Sequence, residues 1–142
     1  KKRVSVCFEE AGLDAEQFIV VLPSVNMEHV QIFLDSLHLN DFGPAIEALG
    51  ARLPVLTTAG EFMRGRQSAG LLRQIDVVDT IAADNTELVS KAAELAEDIG
   101  LRLKLSSRID DRKHWAYRDQ EAVTGLEEFL RRVTLGASAT VS

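Results

Sequence analysis

The chain has 142 residues, 46% of them hydrophobic and 27% charged, which is enough apolar surface for one globular core and argues against disorder. Its formal net charge of −6 leaves no basic footprint for duplex nucleic acid or an anionic lipid surface. A single cysteine, Cys7, excludes an intrachain disulfide, and no apolar run approaches the roughly 20 residues of a membrane span.

The chain opens on Lys1-Lys2-Arg3, with neither an initiator methionine nor a signal-peptide apolar region, so the expectation is a cytoplasmic domain taken from a longer protein. Phe18 to Leu22 is a short apolar run without polar alternation, as in strands covered on both faces of a parallel sheet. Asn26 can cap a helix running to about Leu34, with Met27, Val30 and Leu34 on one face. Ser36 to Leu39 is a weaker strand candidate. Gly43-Pro44 opens the next helix, with Pro44 in the first turn and Ala45, Ile46, Ala48 and Leu49 on its apolar side. Leu53 to Thr57 is a second buried strand, and a helix is expected from about Phe62 to Gln74. Val77 to Ala82 is another weak strand. Asp84 and Glu87 form a capping-box-like start for a helix carrying Leu88, Ala92, Leu95, Ala96 and Ile99, with Gly100 as its stop. A last helix presents Ala122, Leu126, Phe129, Leu130 and Val133 on one face, and Gly136 to Ser142 reads as a frayed tail.

Strands alternating with helices, followed by helices alone, predict an α/β fold: a Rossmann-like parallel sheet with right-handed crossovers and C-terminal helices. In such sheets ligands sit beyond the carboxyl ends of strands, against helix N-termini. Two loops qualify. In Asn40 to Glu47, Gly43 permits close backbone approach, the amides of Ala45 and Ile46 can face a phosphate, and Glu47 can accept from a ribose diol. The local residues alone favour an ordinary strand-to-helix turn with a solvated glutamate on the helix. In Thr57 to Arg66, the hydroxyl of Thr58, Gly60 and the guanidinium of Arg66 suit a ligand mouth. The competing reading is a surface arginine paired with Glu61. Dinucleotide, P-loop, serine-elbow and cysteine–histidine patterns are absent, as is zinc-type spacing among His29, His38 and His114.

Five segments in order carry a family resemblance. Glu47-Ala48-Leu49-Gly50-Ala51-Arg52-Leu53-Pro54-Val55-Leu56-Thr57 resembles the E-A-L-x-x-G-x-P-V-(V/L)-T run of GT-B glycosyltransferases. Gly60 to Leu72 is similar to the G-E-x-x-x-S-R-x-x-A-S-L-L segment of the O-linked N-acetylglucosamine transferase and SPINDLY-type family. Asp79 to Asp84 resembles that family's E-L-I-A strand, and Leu88 to Asp98 falls on the helix after it. Arg112 to Leu130 is similar to its closing stretch, with Tyr117 before a final helix at Leu126-Glu127-Glu128-Phe129.

The resemblance spans roughly Phe18 to Val133 and implies the C-terminal half of a GT-B fold over residues 1–135, followed by a flexible tail over 136–142. It implies a metal-free pocket for a UDP-sugar donor, without a cofactor. In the full-length protein, N-acetylglucosamine or a related hexose would pass to a protein acceptor. The N-terminal GT-B half and a helical-repeat region are implied partners, with nucleic acid and membrane excluded. By the same resemblance, Glu47 holds the ribose, the loop before it takes the diphosphate, Arg66 lies near the mouth, and His29 lies near the uridine and phosphates. His29 on its own residues also reads as a helix-surface histidine. No residue here is assigned as catalytic base. The isolated domain is expected to transfer nothing by itself.

One departure bears on competence. The family's threonine-rich diphosphate loop is replaced by Phe42-Gly43-Pro44-Ala45, and Pro44 removes an amide. Charge-assisted contacts to phosphate contribute about 1.5–3 kcal/mol each, so losing two hydroxyls weakens binding by about a hundredfold or more. The alternative function is therefore a Rossmann-like scaffold or interaction domain that has lost its diphosphate loop. Phe42, Phe62, Met63 and Trp115 are candidate contributors to a face meeting the other half.

Overall fold

The computed structural model describes residues 2–12, 14, 27, 30–35 and 40–138. Helix α1 (Lys2–Glu10) precedes strand β1 (Phe33–Leu34). There follow α2 (Phe42–Gly50), β2 (Val55–Thr58), a 3-10 turn at Met63–Gly65, α3 (Gln67–Gln74) and β3 (Ile81–Ala82). Four helices complete the chain: α4 (Asn85–Glu97), α5 (Ile99–Arg112), α6 (His114–Tyr117) and α7 (Gln120–Ser138).

The sheet order is β1-β2-β3 and both pairings are parallel. Phe33 aligns with Val55 and Leu34 with Leu56, while Thr57 aligns with Ile81 and Thr58 with Ala82. Parallel neighbours need crossovers, and α2 and α3 supply them. The fold class expected from the sequence is thus the one observed: a small parallel sheet flanked by helices.

Leu56, Leu72, Ile75, Val77 and Ile109 are wholly buried and form the centre of one core with Leu49, Val55, Leu95 and Leu105. The continuous burial of Val55, Leu56 and Thr57 explains why β2 has no polar alternation. Both crossover helices end by the same device. Arg52 (φ 64°) and Asp76 (φ 52°) take the left-handed conformation just past α2 and α3. Around them Leu53 N donates to Ala48 O and Arg52 N to Leu49 O, while Val77 N donates to Leu72 O and Asp76 N to Arg73 O. These are Schellman closures, and each delivers a buried apolar residue, Leu53 or Val77, into the core.

Several expected elements are corrected. Residues 30–34, expected to belong to the helix capped by Asn26, are not helical: Phe33 N donates to Pro54 O and Asp35 N to Leu56 O at 2.9 Å each, which commits this stretch to the sheet. The helix expected from Phe62 is a 3-10 turn until Gln67, with Arg66 non-helical at φ −123°. Only Ile81–Ala82 of the Val77–Ala82 run is strand, since Ile81 N turns back to Val78 O. Gly100 does not stop α4. Asp98 both closes α4 and caps α5 through its carboxylate on Leu101 N (2.9 Å), and Gly100 lies inside α5. The Asp84 start is as expected: its carboxylate accepts from Glu87 N (2.9 Å), and Glu87 reaches back to Ala83 N (2.7 Å). Helix α7 continues to Ser138, through the first residues of the stretch expected to be frayed. The candidates at Phe18–Leu22 and Ser36–Leu39, and His29, lie outside the described residues. Among the described residues no helix is long and apolar enough to cross a membrane.

Candidate functional site

The carboxyl ends of β1 and β2 and the amino end of α2 meet on one side of the sheet. β1 runs out at Asp35, a buried carboxylate that accepts from the Thr57 hydroxyl at 3.2 Å. A buried carboxylate is tolerated only with such donors. Asn40, also buried, donates its backbone N–H to Arg64 O at 2.8 Å and so anchors the chain entering α2 to the loop after β2. Asp41 is the N-cap of α2, with its carboxylate on Gly43 N at 3.2 Å.

The loop after β2 closes on itself. Gly60 N donates to Gly65 O at 2.8 Å, and a Cβ at position 60 would lie 2.8 Å from that same oxygen. Gly60 is therefore required by loop closure. Arg66 donates from Nε to Gly60 O at 2.6 Å, which fixes its guanidinium across the loop. Among the described residues no carboxylate pairs with Arg66, so Glu61 is not its partner. Phe42, Met63, Arg66, Gln67, Leu71 and Gln74 line a groove of about 490 Å³ that runs from the start of α2 along α3.

The two loops singled out from the sequence thus come together, with differences in detail. Gly43 is exposed in the first turn of α2 and Thr58 is half-buried at the carboxyl end of β2. Ala45 is buried and its amide donates to Asp41 O at 3.3 Å, so it is not free to face a phosphate. Ile46 lies one residue further into the helix, where the amide belongs to the helical ladder. The first-turn donors are the amides of Phe42 and Gly43, because Pro44 has none. Glu47 is exposed on the second turn and does not line the groove. Asp35, Asn40 and Asp41 were not assigned roles from the sequence. Asn40-Asp41 ahead of Gly-Pro is the available signal, because both types cap helices.

A second groove, of about 610 Å³, opens at the amino end of β2 beside Arg52, Ile99, Arg102, Leu103 and Asp110. Its charges are mutually engaged: Arg52 lies 3.8 Å from Asp110, and Arg102 donates to the carbonyls of Leu95 and Ala96. The shifted carboxyls also lie away from the mouth. Burial raises Asp79, but its own backbone amide, Arg108 and Lys91 together outweigh this and hold it below the usual range. The Ala83 amide and Lys91 lower Glu87, and a Lys113 hydrogen bond lowers Asp110. Among the described residues no cluster of three or more His, Cys, Asp or Glu side chains could hold a metal ion.

No protein-family model matches the chain. Over 103 residues it is 29% identical to a UDP-N-acetylglucosamine--peptide N-acetylglucosaminyltransferase of Giardia intestinalis. That alignment covers 68% of this chain and 7% of the relative. Among solved structures it is similar to a point mutant of the Thermobaculum terrenum O-GlcNAc transferase, with a TM-score of 0.81 at 24% identity. That match covers 99% of this chain and 29% of the other. The chain thus spans a small part of the length of both proteins. The chain is an α/β unit that resembles one peptide N-acetylglucosaminyltransferase in sequence and matches an O-GlcNAc transferase in fold.

Proposed function

We propose that this chain is the donor-binding half of a glycosyltransferase, holding a UDP-sugar at the groove between α2 and α3. The observation that carries the reading is Arg66. Its guanidinium stands at the carboxyl end of a parallel sheet, beside a helix N-terminus, with its orientation set by Gly60 and no carboxylate to neutralise it among the described residues. A diphosphate fits that arrangement, since an arginine fork and first-turn amides favour anions. Glycosyl transfer expels a nucleoside diphosphate, and groups aimed at that developing charge lower the barrier. Glu47, exposed one turn into α2, is the proposed acceptor for the ribose hydroxyls, and Thr58 and Gly60 shape the mouth. His29 remains a proposed neighbour of the uridine. Transfer of N-acetylglucosamine to a protein acceptor, with a second GT-B half completing the site, follows from the same reading.

Calorimetry of UDP binding, on the chain and on Glu47→Ala, tests it. The expected result is weak binding that weakens further in the variant. Equal binding by both forms removes Glu47 from the site, and no binding heat in the parent chain rejects the reading.

A second reading has its own support. The Asp41 carboxylate already occupies Gly43 N, and Phe42 and Pro44 bring no hydroxyl or extra donor. An incoming phosphate must displace a carboxylate of like charge. A chain that had become a scaffold would show these features, and it would give no thermal shift with any nucleoside diphosphate at millimolar concentration.

A further inference from the structure

The helices that form the groove are joined at their far sides by α6, a single helical turn. From it, Tyr117 donates its hydroxyl to Ile46 O at 2.6 Å, in the middle of α2 and next to Glu47. From α3, Gln74, which lines the groove, donates to Trp115 O at 3.2 Å and to the Asp119 carboxylate at 3.0 Å. Asp119 in turn accepts from the Glu121 and Ala122 amides at the start of α7. Lys113, just before α6, donates to Gly50 O at 3.1 Å and closes the end of α2. One short segment therefore grips both helices of the groove.

Gly50 shows how tightly the tyrosine is seated. A Cβ at this position would lie 2.8 Å from the Tyr117 hydroxyl, and its next nearest atom is the ring carbon bearing that hydroxyl, at 3.9 Å. Glycine lowers helix stability relative to alanine, so its place in the last turn of α2 is accounted for by the hydroxyl it accommodates. The hydroxyl contacts neither Arg66 nor the first-turn amides. Its action on them runs through α2.

We infer that Tyr117 is a positioning residue: through its bond to Ile46 O it fixes α2 relative to α3, and so sets the distance of Glu47 and the α2 N-terminus from Arg66. The site whose geometry it sets is the one proposed above, and the inference rests on that reading for its functional meaning. The Tyr117 ring is half exposed, and the hydroxyl carries the positioning.

The test uses Tyr117→Phe, Gly50→Ala and the double variant. In Tyr117→Phe, amide hydrogen exchange in the last turn of α2 should quicken about fivefold, the effect of one lost hydrogen bond. Exchange in α4, which α6 does not hold, should be unchanged. Gly50→Ala should quicken α2 by pushing the hydroxyl away, but less than Tyr117→Phe does, because alanine favours the helix. It should add little when combined with Tyr117→Phe, where the clashing atom is gone. Unchanged exchange in α2, an equal rise in α4, or additive effects of the two substitutions would each overturn the role. UDP calorimetry on the same proteins separates the two proposals. If the parent chain binds UDP and Tyr117→Phe binds severalfold more weakly, positioning of the site is supported; equal binding overturns it. If the parent chain does not bind, the donor-site reading fails, while the exchange comparison still decides whether the hydroxyl fixes α2.

Discussion

The two ends of the parallel sheet are built on opposite electrostatic principles. At the amino end, four cations lie against carboxylates: Arg108 on Asp79 (2.8 Å), Arg112 on Asp76, Lys113 on Asp110 (2.8 Å) and Arg52 on Asp110 (3.8 Å). Three of these pairs, Arg108–Asp79, Arg112–Asp76 and Arg52–Asp110, stitch α5 to the turns before β2 and β3, while Lys113–Asp110 is local to the end of α5. At the carboxyl end the contacts run to backbone: Asp41 to the Gly43 amide, Arg66 to the Gly60 carbonyl, and Asn40 to the Arg64 carbonyl. The first arrangement leaves charge satisfied by charge. The second orients charged groups without neutralising them, which is what a site for an anion requires.

Damage to the shared core should erase the contrast altogether. Leu56 is wholly buried at the centre of β2, between the two ends. Leu56→Ala should cost about 2–5 kcal/mol, read from urea denaturation, and should disturb both ends together. A smaller loss would mean that the sheet is not the element joining them.

Arg66→Ala should separate the ends. It is expected to leave the denaturation midpoint nearly unchanged, since the side chain is exposed, and to weaken UDP binding about tenfold or more. A drop in stability without a change in affinity would make Arg66 a structural loop residue.

Asp41 sharpens the same contrast. Asp41→Ala removes the α2 cap and should cost about 1 kcal/mol. Asp41→Asn keeps a cap while removing the negative charge at the mouth, and should tighten UDP binding severalfold. Affinity that falls in both variants would instead place the carboxylate among the ligand-holding groups.

At the amino end the sign with pH is set by the lowered carboxyls. Asp79 and Asp110 titrate below their usual range when folded, as does Glu87 on α4, so their stabilisation is complete above the ordinary carboxylate pKa. It is lost as pH falls below about 4, through the folded values. Thermal midpoints taken from pH 7 to pH 3 should be level at first and then decline; stability that rises on acidification contradicts the ion-pair account. The smallest effect is expected at Arg52. Its left-handed backbone favours glycine and its ion pair is exposed and long. Arg52→Gly should therefore stabilise by up to about 1 kcal/mol.

The same two ends differ in how legible they are in sequence. β2 is readable because an apolar run flanked by Arg52 and a Thr-Thr-Ala-Gly loop has the length of a buried strand. The α4 start is readable because Asp84 and Glu87 stand three apart. The mouth is partly readable: Gly43-Pro44 marks a helix start and Gly60 a tight loop. The exchange of Thr57 with Asp35, and of Arg66 with Gly60 O, depends on contacts that sequence spacing does not contain. The amino end is nearly silent. Helix α5 is obscured because Leu101, Leu105 and Ile109 stand among Arg102, Lys104, Arg108 and Arg112, and because Gly100 imitates a helix stop. The Schellman closures at Arg52 and Asp76 carry no glycine to announce them. β1 is hidden because Met27, Val30 and Leu34 fit a helical face, and pairing with β2 overrides that local preference. The resemblance to glycosyltransferases rests on the order of segments, most of which map to the core and the mouth.

The central claim is that the carboxyl end is an anion site built on Arg66 and the start of α2. Its most direct measurement is calorimetry of UDP against uridine, on the parent chain and on Arg66→Ala. UDP should bind about tenfold or more tightly than uridine, and most of this difference should disappear in the variant. Equal affinity for the two ligands in the parent chain, or a preference for UDP that survives without Arg66, would contradict it.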